Sequence, residues 1–437
     1  MVLPLVAYAC VSTSDNNNPD HRNSESDRIT LSSDGAWCWF SDPRAVYYDG
    51  THRRTYSGWV TADGSIAVGY YDHDLDTISI SIIEEKLQID DHNNPSFNID
   101  PEGRIMVFYS KHSGRSPMVM ARSKDSESID SWEPARELVL NDSTLFPGAS
   151  NTYTYTNISQ LSGEGNKLYL FWRGVDFKPN FSTSTDMGGS WSTGKILVLP
   201  DRIYRNRRPY LKVSSNQRDV IHFAFTDGHP RDEPTNSIYY MRYQQGKLWK
   251  ANGTIIKPWS ELPLSPDQSD LVYDARLTNE KAWIWDVAGD QQDRPVLVYS
   301  RFPNDSTHLY YYAIWRNNEW KNIEMVNSGT WFPQTPPGEP EREPNYSGGI
   351  TLDHNDPSIV YLSLQKNGTF EIERWQTDDF GESWQVTEIT SNSEFNNIRP
   401  FAVRNRPAEY SSMVLWMGLR RYTHYTDYDS FIDMYLE

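Results

Sequence analysis

The sequence predicts an all-β protein, a seven-bladed β-propeller with four-stranded antiparallel blades. Three observations carry that prediction. Long amphipathic helical patterns are nearly absent; short runs rich in Val, Ile, Tyr, Phe and Trp alternate instead with clusters of Gly, Pro, Asn and Asp, as strands alternate with turns. Residues 104–110 (RIMVFYS), 167–172 (KLYLFW), 220–225 (VIHFAF), 295–300 (PVLVYS) and 358–363 (SIVYLS) are examples. Two segments, 184–191 (STDMGGSW) and 377–384 (TDDFGESW), share one pattern, [S/T]-x-D-x-G-x-S-W. Tryptophans that end hairpins recur at Trp132, Trp191, Trp249, Trp320 and Trp384, 58 to 71 residues apart, a period that holds one blade plus long loops. One unit fits before Trp132, around residues 66–87, and another after Trp384. The count is seven, with six and eight as alternatives.

The elements follow in chain order. Residues 1–10 (MVLPLVAYAC) are short and apolar and end in small residues around a cysteine, as an export signal does, with Cys10 as a candidate lipid anchor. Residues 12–27 are polar and read as a flexible tether, so the expected division is 1–27 signal and tether, then 28–437 a single propeller domain. A secreted, cell-surface or periplasmic location follows, with no transmembrane segment because no run of 18 apolar residues exists. The strand near residues 45–48 is expected to pair into the last blade and close the ring. The repeated octapeptide resembles the Asp-box, a turn between outer blade strands. Its Asp accepts backbone hydrogen bonds, its Gly takes a positive φ, and its Trp packs between sheets. The 437 residues include 59 acidic and 41 basic side chains, a net charge of −18 that argues against nucleic acid as a partner. Two cysteines cannot make a disulfide framework or a four-thiolate zinc site, and a monomer is expected.

Antiparallel pairing puts the start of each blade's inner strand and the end of its second strand on one rim, near the axis. In the second to fifth units this rule gathers His92, Asn93, His112, Tyr155, Arg173, Arg205, Arg207, Arg208, Tyr210, His229 and Arg301. A cationic, His- and Tyr-rich rim on so acidic a protein points to an anionic ligand, since guanidinium forks suit carboxylates and sulfates. The other histidines show no paired metal-ligand spacing, so no metal site is assigned.

Residues 37–46 (WCWFSDPRAV), 90–95 (DDHNNP), 171–174 (FWRG) and 226–230 (TDGHP) resemble the BNR-type propeller group of carbohydrate-active enzymes. That group includes the ulvan lyases of polysaccharide lyase families 24 and 25. The resemblance implies a lyase that cleaves an anionic, uronate-containing and sulfated polysaccharide by β-elimination, leaving 4,5-unsaturated uronate ends and requiring no cofactor. It also implies the site: His92 and His112 as the histidine pair, Arg173 as the neutraliser of the uronate carboxylate, and Tyr155 as the tyrosine, with Tyr153 its rival. Tyr210 resembles a second site tyrosine, and Asn93, Arg205, Arg207, Arg208, His229 and Arg301 are expected to bind substrate.

The chemistry suits these residue types. Removing the C5 proton of a uronate builds a second negative charge, which an arginine beside the carboxylate stabilises. A neutral His or a Tyr takes the proton, and a second group protonates the leaving oxygen at C4. His92 and Tyr155 are the expected acid/base pair, with His112 supporting or sharing the role. The alternatives are a uronate dehydratase, a rhamnose–glucuronate lyase or α-L-rhamnosidase on the same propeller, and a glycan-binding propeller without catalysis. A hydrolase needs a carboxylate pair, for which only Asp227 and Asp274 offer themselves.

Overall fold

The structure is a computed structural model that describes residues 28–437 except 113, 115, 147, 201–206, 305 and 330–347. The expected signal and tether, with Cys10, and the candidate Arg205 lie outside the described residues. Seven antiparallel sheets follow one another along the chain. Their first strands are Ala45–Asp49, Ser96–Ile99, Asn151–Leu161, Leu211–Ser215, Lys281–Gly289, Ile350–Leu352 and Asn396–Ala402. Each of these contacts the first strand of the next blade, so together they line the axis. Burial falls from the axis outward: Ile105–Tyr109, a second strand, is wholly buried, whereas Gln385–Glu388, an outer strand, is wholly exposed. This gradient explains why inner strands read as unbroken apolar runs. No helix of the described residues is long and apolar enough to cross a membrane.

The ring closes differently from the sequence expectation. Ala45–Asp49 is the inner strand of the first blade, paired with Arg53–Val60. It packs against the last blade, but its β-pairing with that blade is a single bridge, Val46 to Arg404. The closing strand is Arg28–Ser32, which pairs with Asp427–Leu436 as the fourth strand of the seventh blade. Asp433 is buried and anchors it, accepting from Arg28 Nε at 2.7 Å and from Thr30 Oγ1 at 2.7 Å. A five-residue strand following a polar stretch carries little periodic signal, which is why it is hard to see in sequence. Blade four also departs from four strands: Lys247–Trp249 and Asp270–Tyr273 pair along different parts of Ile238–Gln244, and Ile255–Pro258 adds outside.

The recurring tryptophans reach backward. Trp191 of blade three packs on Phe108 of blade two, Trp320 of blade five on Tyr240 of blade four, and Trp384 of blade six on Tyr312 of blade five. Trp132 of blade two donates to Ser81 Oγ of blade one. Trp249 stays within its own hairpin, donating to Gln244 O. In blade four the role passes to Trp259, 4.5 Å from the ring of Phe181. The outer strand of that blade is followed by a further strand, Ile255–Pro258, and the packing residue comes directly after it, ten positions on from Trp249.

The two matching octapeptides form the same hydrogen-bonded turn. Ser190 N and Oγ donate to the Asp186 carboxylate at 2.8 and 2.6 Å, and Gly188 N donates to Ser184 Oγ at 2.8 Å. Ser383, Asp379, Gly381 and Thr377 repeat these contacts. Gly381 has φ of +93° and its missing Cβ would lie 2.9 Å from Ile323 Cδ1; Gly368 has the same φ with nothing within 4 Å. Both glycine-to-alanine variants are therefore expected to lose about 1 kcal/mol to backbone strain, with Gly381→Ala losing about 1–2 kcal/mol more to overpacking between blades five and six. Urea denaturation checks this, and equal losses would show that the turn does not dock the blades.

Candidate active site

The site forms where loops of blades two, three, four and seven meet above a segment that enters the axis. In residues 90–95 (DDHNNP) the Asp90 side chain caps a 3₁₀ turn, Asp91–Asn93, by accepting from His92 N at 3.0 Å. Pro95 follows and directs the chain into the inner strand Ser96–Ile99. His112 lies just past the second strand, Ile105–Tyr109, where Thr154 Oγ1 donates to its carbonyl at 2.6 Å. The two imidazoles stack, centroids 4.0 Å apart and 10° from parallel. Asp90 bridges them, taking His92 Nδ1 on Oδ1 at 2.7 Å and His112 Nδ1 on Oδ2 at 2.8 Å. With Nδ1 protonated toward the carboxylate, Nε2 of each ring is left for chemistry.

Tyr155 stands beside the pair, 5.8 Å from His92 and 6.1 Å from His112 between ring centres. Its backbone has φ of +62°, at an irregularity in strand Asn151–Leu161 that Asn157 Nδ2 braces by donating to Tyr155 O at 2.8 Å. A bulky residue in the left-handed region persists only where the surroundings enforce it. Tyr153 is a packing residue: its hydroxyl accepts from Leu140 N and Asn141 N at 2.7 Å, and its ring stacks on Trp172. The geometry thus gathers Tyr155, not Tyr153, with the histidines.

Arg173 lies opposite Thr154 in the ladder, its guanidinium 4.6 Å from the centre of the Tyr155 ring and donating to Tyr210 Oη at 3.0 Å. It is 8% exposed, its Nε has no partner, and no carboxylate of the described residues pairs with it. Beneath lie Trp39 and Phe40; Phe40 meets Tyr155 at 5.3 Å and Tyr210 at 5.0 Å. His229 joins the same wall, edge-on to Trp283 at 4.1 Å, with Nδ1 accepting from Arg231 N at 3.0 Å.

Other sequence candidates are occupied elsewhere. Arg207 is paired with Asp227 at 2.8 Å and Glu233 at 3.0 Å, and Arg208 with Asp232 at 3.0 Å. Arg301 is bonded to Glu280 and sandwiched between the rings of Tyr273 and Tyr311. Asn93 is buried and donates to Gln88 O at 3.1 Å. Adjacent carboxylates account for most of this: a basic run in sequence shows its charges and not their partners.

Sequence reasoning missed the contribution of the last blade. Tyr425 sets its ring nearly perpendicular to both imidazoles, at 4.8 and 5.4 Å. Arg399 Nη1 donates to Asp91 Oδ2 at 2.6 Å, and the Tyr422 hydroxyl donates to the same oxygen. The rim rule applied to the seventh unit would have found Tyr422 and Tyr425, at and just past the end of its second strand, but not Arg399, which lies in the middle of its inner strand.

The electrostatics divide the two histidines. Burial opposes the charged form of His92, but Tyr155 and Cys38 when ionised, and the Asp90 and Asp91 carboxylates, carry its pKa well above the usual value. His112 is pushed down to about 4 by burial and by the neighbouring His92 charge, against the pull of Asp90. Burial raises the Tyr155 phenol well above its ordinary range, with Arg173 opposing. The surroundings thus drive the two histidines in opposite directions and hold the Tyr155 phenol in its protonated form. Asp90, His92 and His112 bring ligand-type atoms within 4.8 Å of one another. The Asp90 oxygens and the two Nδ1 atoms are already paired, so the trio reads as a proton-sharing network.

Two hollows of about 410 and 320 Å³ open at the opposite mouth of the axis, near Gln160, Ser214, His354 and Arg404. The crevice between Tyr155, Arg173 and Tyr210 is only about 10 Å³. Volume and chemistry disagree, and the chemistry decides: the stacked histidines and the buried guanidinium lie on the histidine rim, and a polymer chain needs an open surface.

Fold and site together define a seven-bladed propeller whose rim gathers two stacked imidazoles, a phenol and a buried guanidinium against an aromatic wall. The chain belongs to the BNR repeat-containing family, which matches residues 54–328. No curated protein matches it. Among solved structures, a PL25 ulvan lyase bound to -[GlcA(1-4)Rha3S]- superposes with a TM-score of 0.70 at 14% identity, covering 94% of this chain and 95% of that one. The polysaccharide lyase Uly1 gives 0.52 at 9% identity, over 93% and 97%. At these identities the likeness is one of fold.

A guanidinium kept for a ligand should be dispensable to the fold. Arg173→Met is expected to leave stability unchanged or raise it by about 1 kcal/mol, since it removes a buried charge with no anionic partner. Thermal unfolding checks this, and a loss above about 3 kcal/mol would mark Arg173 as structural instead.

Proposed function

We propose that the protein is a polysaccharide lyase that cleaves a uronate-containing anionic polysaccharide by β-elimination. The observation that carries this reading is the buried Arg173 guanidinium, lacking any carboxylate partner among the described residues and set beside a phenol and a pair of imidazoles. A uronate carboxylate would pair with Arg173 and the Tyr210 hydroxyl. Neutral His112 Nε2, its Nδ1 held by Asp90, takes the C5 proton. The electron pair forms the C4–C5 double bond, the C4–O bond breaks, and Tyr155 protonates the leaving oxygen. Arg173 and charged His92 stabilise the intervening dianion. Of the expected acid/base pair of His92 and Tyr155, with His112 supporting or sharing the role, this reading keeps Tyr155 as the acid and gives the base role to His112, because the imidazole driven toward neutrality is the one able to accept a proton. His229 and the aromatic floor of Trp39, Phe40 and Trp283 are assigned to substrate binding. The fold likeness to lyases, one of them bound to a glucuronate–rhamnose sulfate ligand, supports a sulfated, ulvan-like substrate. We also assign residues 28–437 to one catalytic domain and residues 1–27 to export.

The test is incubation with ulvan and other uronate polysaccharides while following the absorbance of the unsaturated uronate, with product masses to separate cleavage from dehydration. Hydrolysis products without that absorbance would overturn the reading. Arg173→Ala is expected to lower turnover at least 100-fold, about 2.7 kcal/mol, and Tyr155→Phe to abolish it while binding persists. Arg173→Lys should rescue little, because an ammonium lacks the bidentate fork. Turnover within tenfold of wild type in Arg173→Ala would remove the neutraliser role.

The pH dependence has a defined sign. A base must be unprotonated, so kcat/KM should rise with pH through the His112 value of about 4 and already be flat at the ordinary histidine pKa of about 6.5. An acid must keep its proton, so Tyr155 should cause no loss of rate until well above its ordinary range. An acid limb centred near or above about 6.5 would count against His112 as the base.

A further inference from the structure

The stacked histidines pose a question of symmetry. Two imidazoles share one carboxylate through nearly equal contacts of 2.7 and 2.8 Å, so Asp90 does not itself decide which ring carries the charge. The asymmetry comes from the next residue. Asp91 Oδ1 lies 3.0 Å from His92 Nδ1, yet it is buried and has no hydrogen-bond partner, because the Nδ1 proton points to Asp90. A carboxylate oxygen left unsatisfied against an imidazole is costly beside a neutral ring and favourable beside a charged one. The other oxygen, Oδ2, is gripped by Arg399 and Tyr422, which keep Asp91 ionised and fix its direction. Arg399 is 1% exposed and has φ of +52°, a strained backbone for a non-glycine residue, and Tyr425 O accepts from Asp91 N at 2.9 Å.

We propose that Asp91 is a positioning residue that assigns the site's extra proton to His92, held to that task by Arg399 and Tyr422 of the seventh blade. This rests on reading the rim as an acid/base site. Every group facing His92 bears on the balance. Asp90 and Asp91 of its own turn favour the charge, as do Cys38 of the axial segment and Tyr155 of blade three when ionised. His112 on the same blade competes for it. Tyr425 packs against the ring, and Tyr428 and His229 stand further out. Arg399 is the cation closest to Asp91, and its charge is spent on that carboxylate. Arg173 acts from beyond Tyr155. Asp91 is the one carboxylate in this set that touches His92 and not His112, so it breaks the tie at contact range, and Arg173 adds to it by disfavouring charge on His112. The consequence is a division of labour, with a fixed cation at His92 for the developing dianion and a neutral acceptor at His112.

Imidazole titration by NMR tests this without any substrate. The full chain is labelled at histidine Cε1, with His92→Gln and His112→Gln used to assign the two signals. In wild type the His92 signal should stay that of an imidazolium through neutrality, and His112 that of a neutral ring. In Asp91→Asn the His92 midpoint should fall by at least about one pH unit and that of His112 rise, narrowing the gap, whereas Asp90→Asn should lower both. Tyr422→Phe keeps the Arg399–Asp91 pair and should lower His92 by less, so it serves as the test if Asp91→Asn fails to fold; Asp91→Glu should restore part of the gap. A His92 midpoint moving less than about 0.3 unit in every folded variant at Asp91 and Tyr422 would overturn the proposal. Failure of the wild type to produce unsaturated uronate would overturn the lyase reading and leave the titration result standing.

Discussion

Pairing of Arg28–Ser32 with Asp427–Leu436 is the constraint on which the rest of the molecule depends. A propeller buries its sheet faces only if the last blade meets the first, and an unclosed seventh blade would present an unpaired edge. Here closure does more than seal the ring. It fixes the blade that carries Arg399, Tyr422 and Tyr425, and these side chains reach Asp91 and the stacked histidines of blade two. The contact between Arg399 and Asp91 spans 308 residues of sequence. The geometry of the rim is therefore tied to the ring-closing strand, through a carboxylate, a guanidinium and a phenol.

Much of this was legible in the sequence, for physical reasons. Blade number followed from tryptophans that must cover a neighbouring sheet, and the packing of Trp191, Trp320 and Trp384 onto the preceding blade explains why they recur. The rim was legible because antiparallel pairing fixes which strand ends share a face, which gathered His92, His112, Tyr155, Arg173, Tyr210 and His229. Pairing across space was not legible. Arg207, Arg208 and Arg301 have the same residue type and the same kind of position as Arg173, and only the structure shows that theirs is a charge already spent on Asp227, Asp232 and Glu280. The closing strand was missed because five residues show too little alternation to stand out.

Two backbone irregularities deserve a common explanation. Tyr155 and Arg399 both sit at positive φ within inner strands, at points where the ladder register shifts. Regular pleating would send consecutive side chains to opposite faces of the sheet. An irregular residue lets a side chain be re-aimed toward the rim at a cost of about 1–3 kcal/mol each. The cost is met by buried anchors: Asn157 braces Tyr155, and Arg399 N donates to Gly348 O at 2.7 Å while its guanidinium reaches Trp37 O and Asp91. Strain of this kind is concentrated where a particular side-chain direction matters more than local stability.

The distribution of charge sets the range over which an anion can be recognised. With a net charge of −18 the protein repels an anionic polymer that comes within roughly the Debye length of its surface, about 8 Å in physiological salt. Long-range steering therefore opposes encounter, and whatever favours binding must act at contact. Arg173 meets that requirement because it is buried among Tyr155, Tyr210 and Phe177, where the local dielectric is low and mobile ions do not reach. Added salt weakens the distant repulsion far more than it weakens such a desolvated contact. An acidic surface is thus compatible with the proposed anionic substrate: the surface would keep loose polyanions at a distance, and Arg173 would retain only a chain that delivers a carboxylate into direct contact with it.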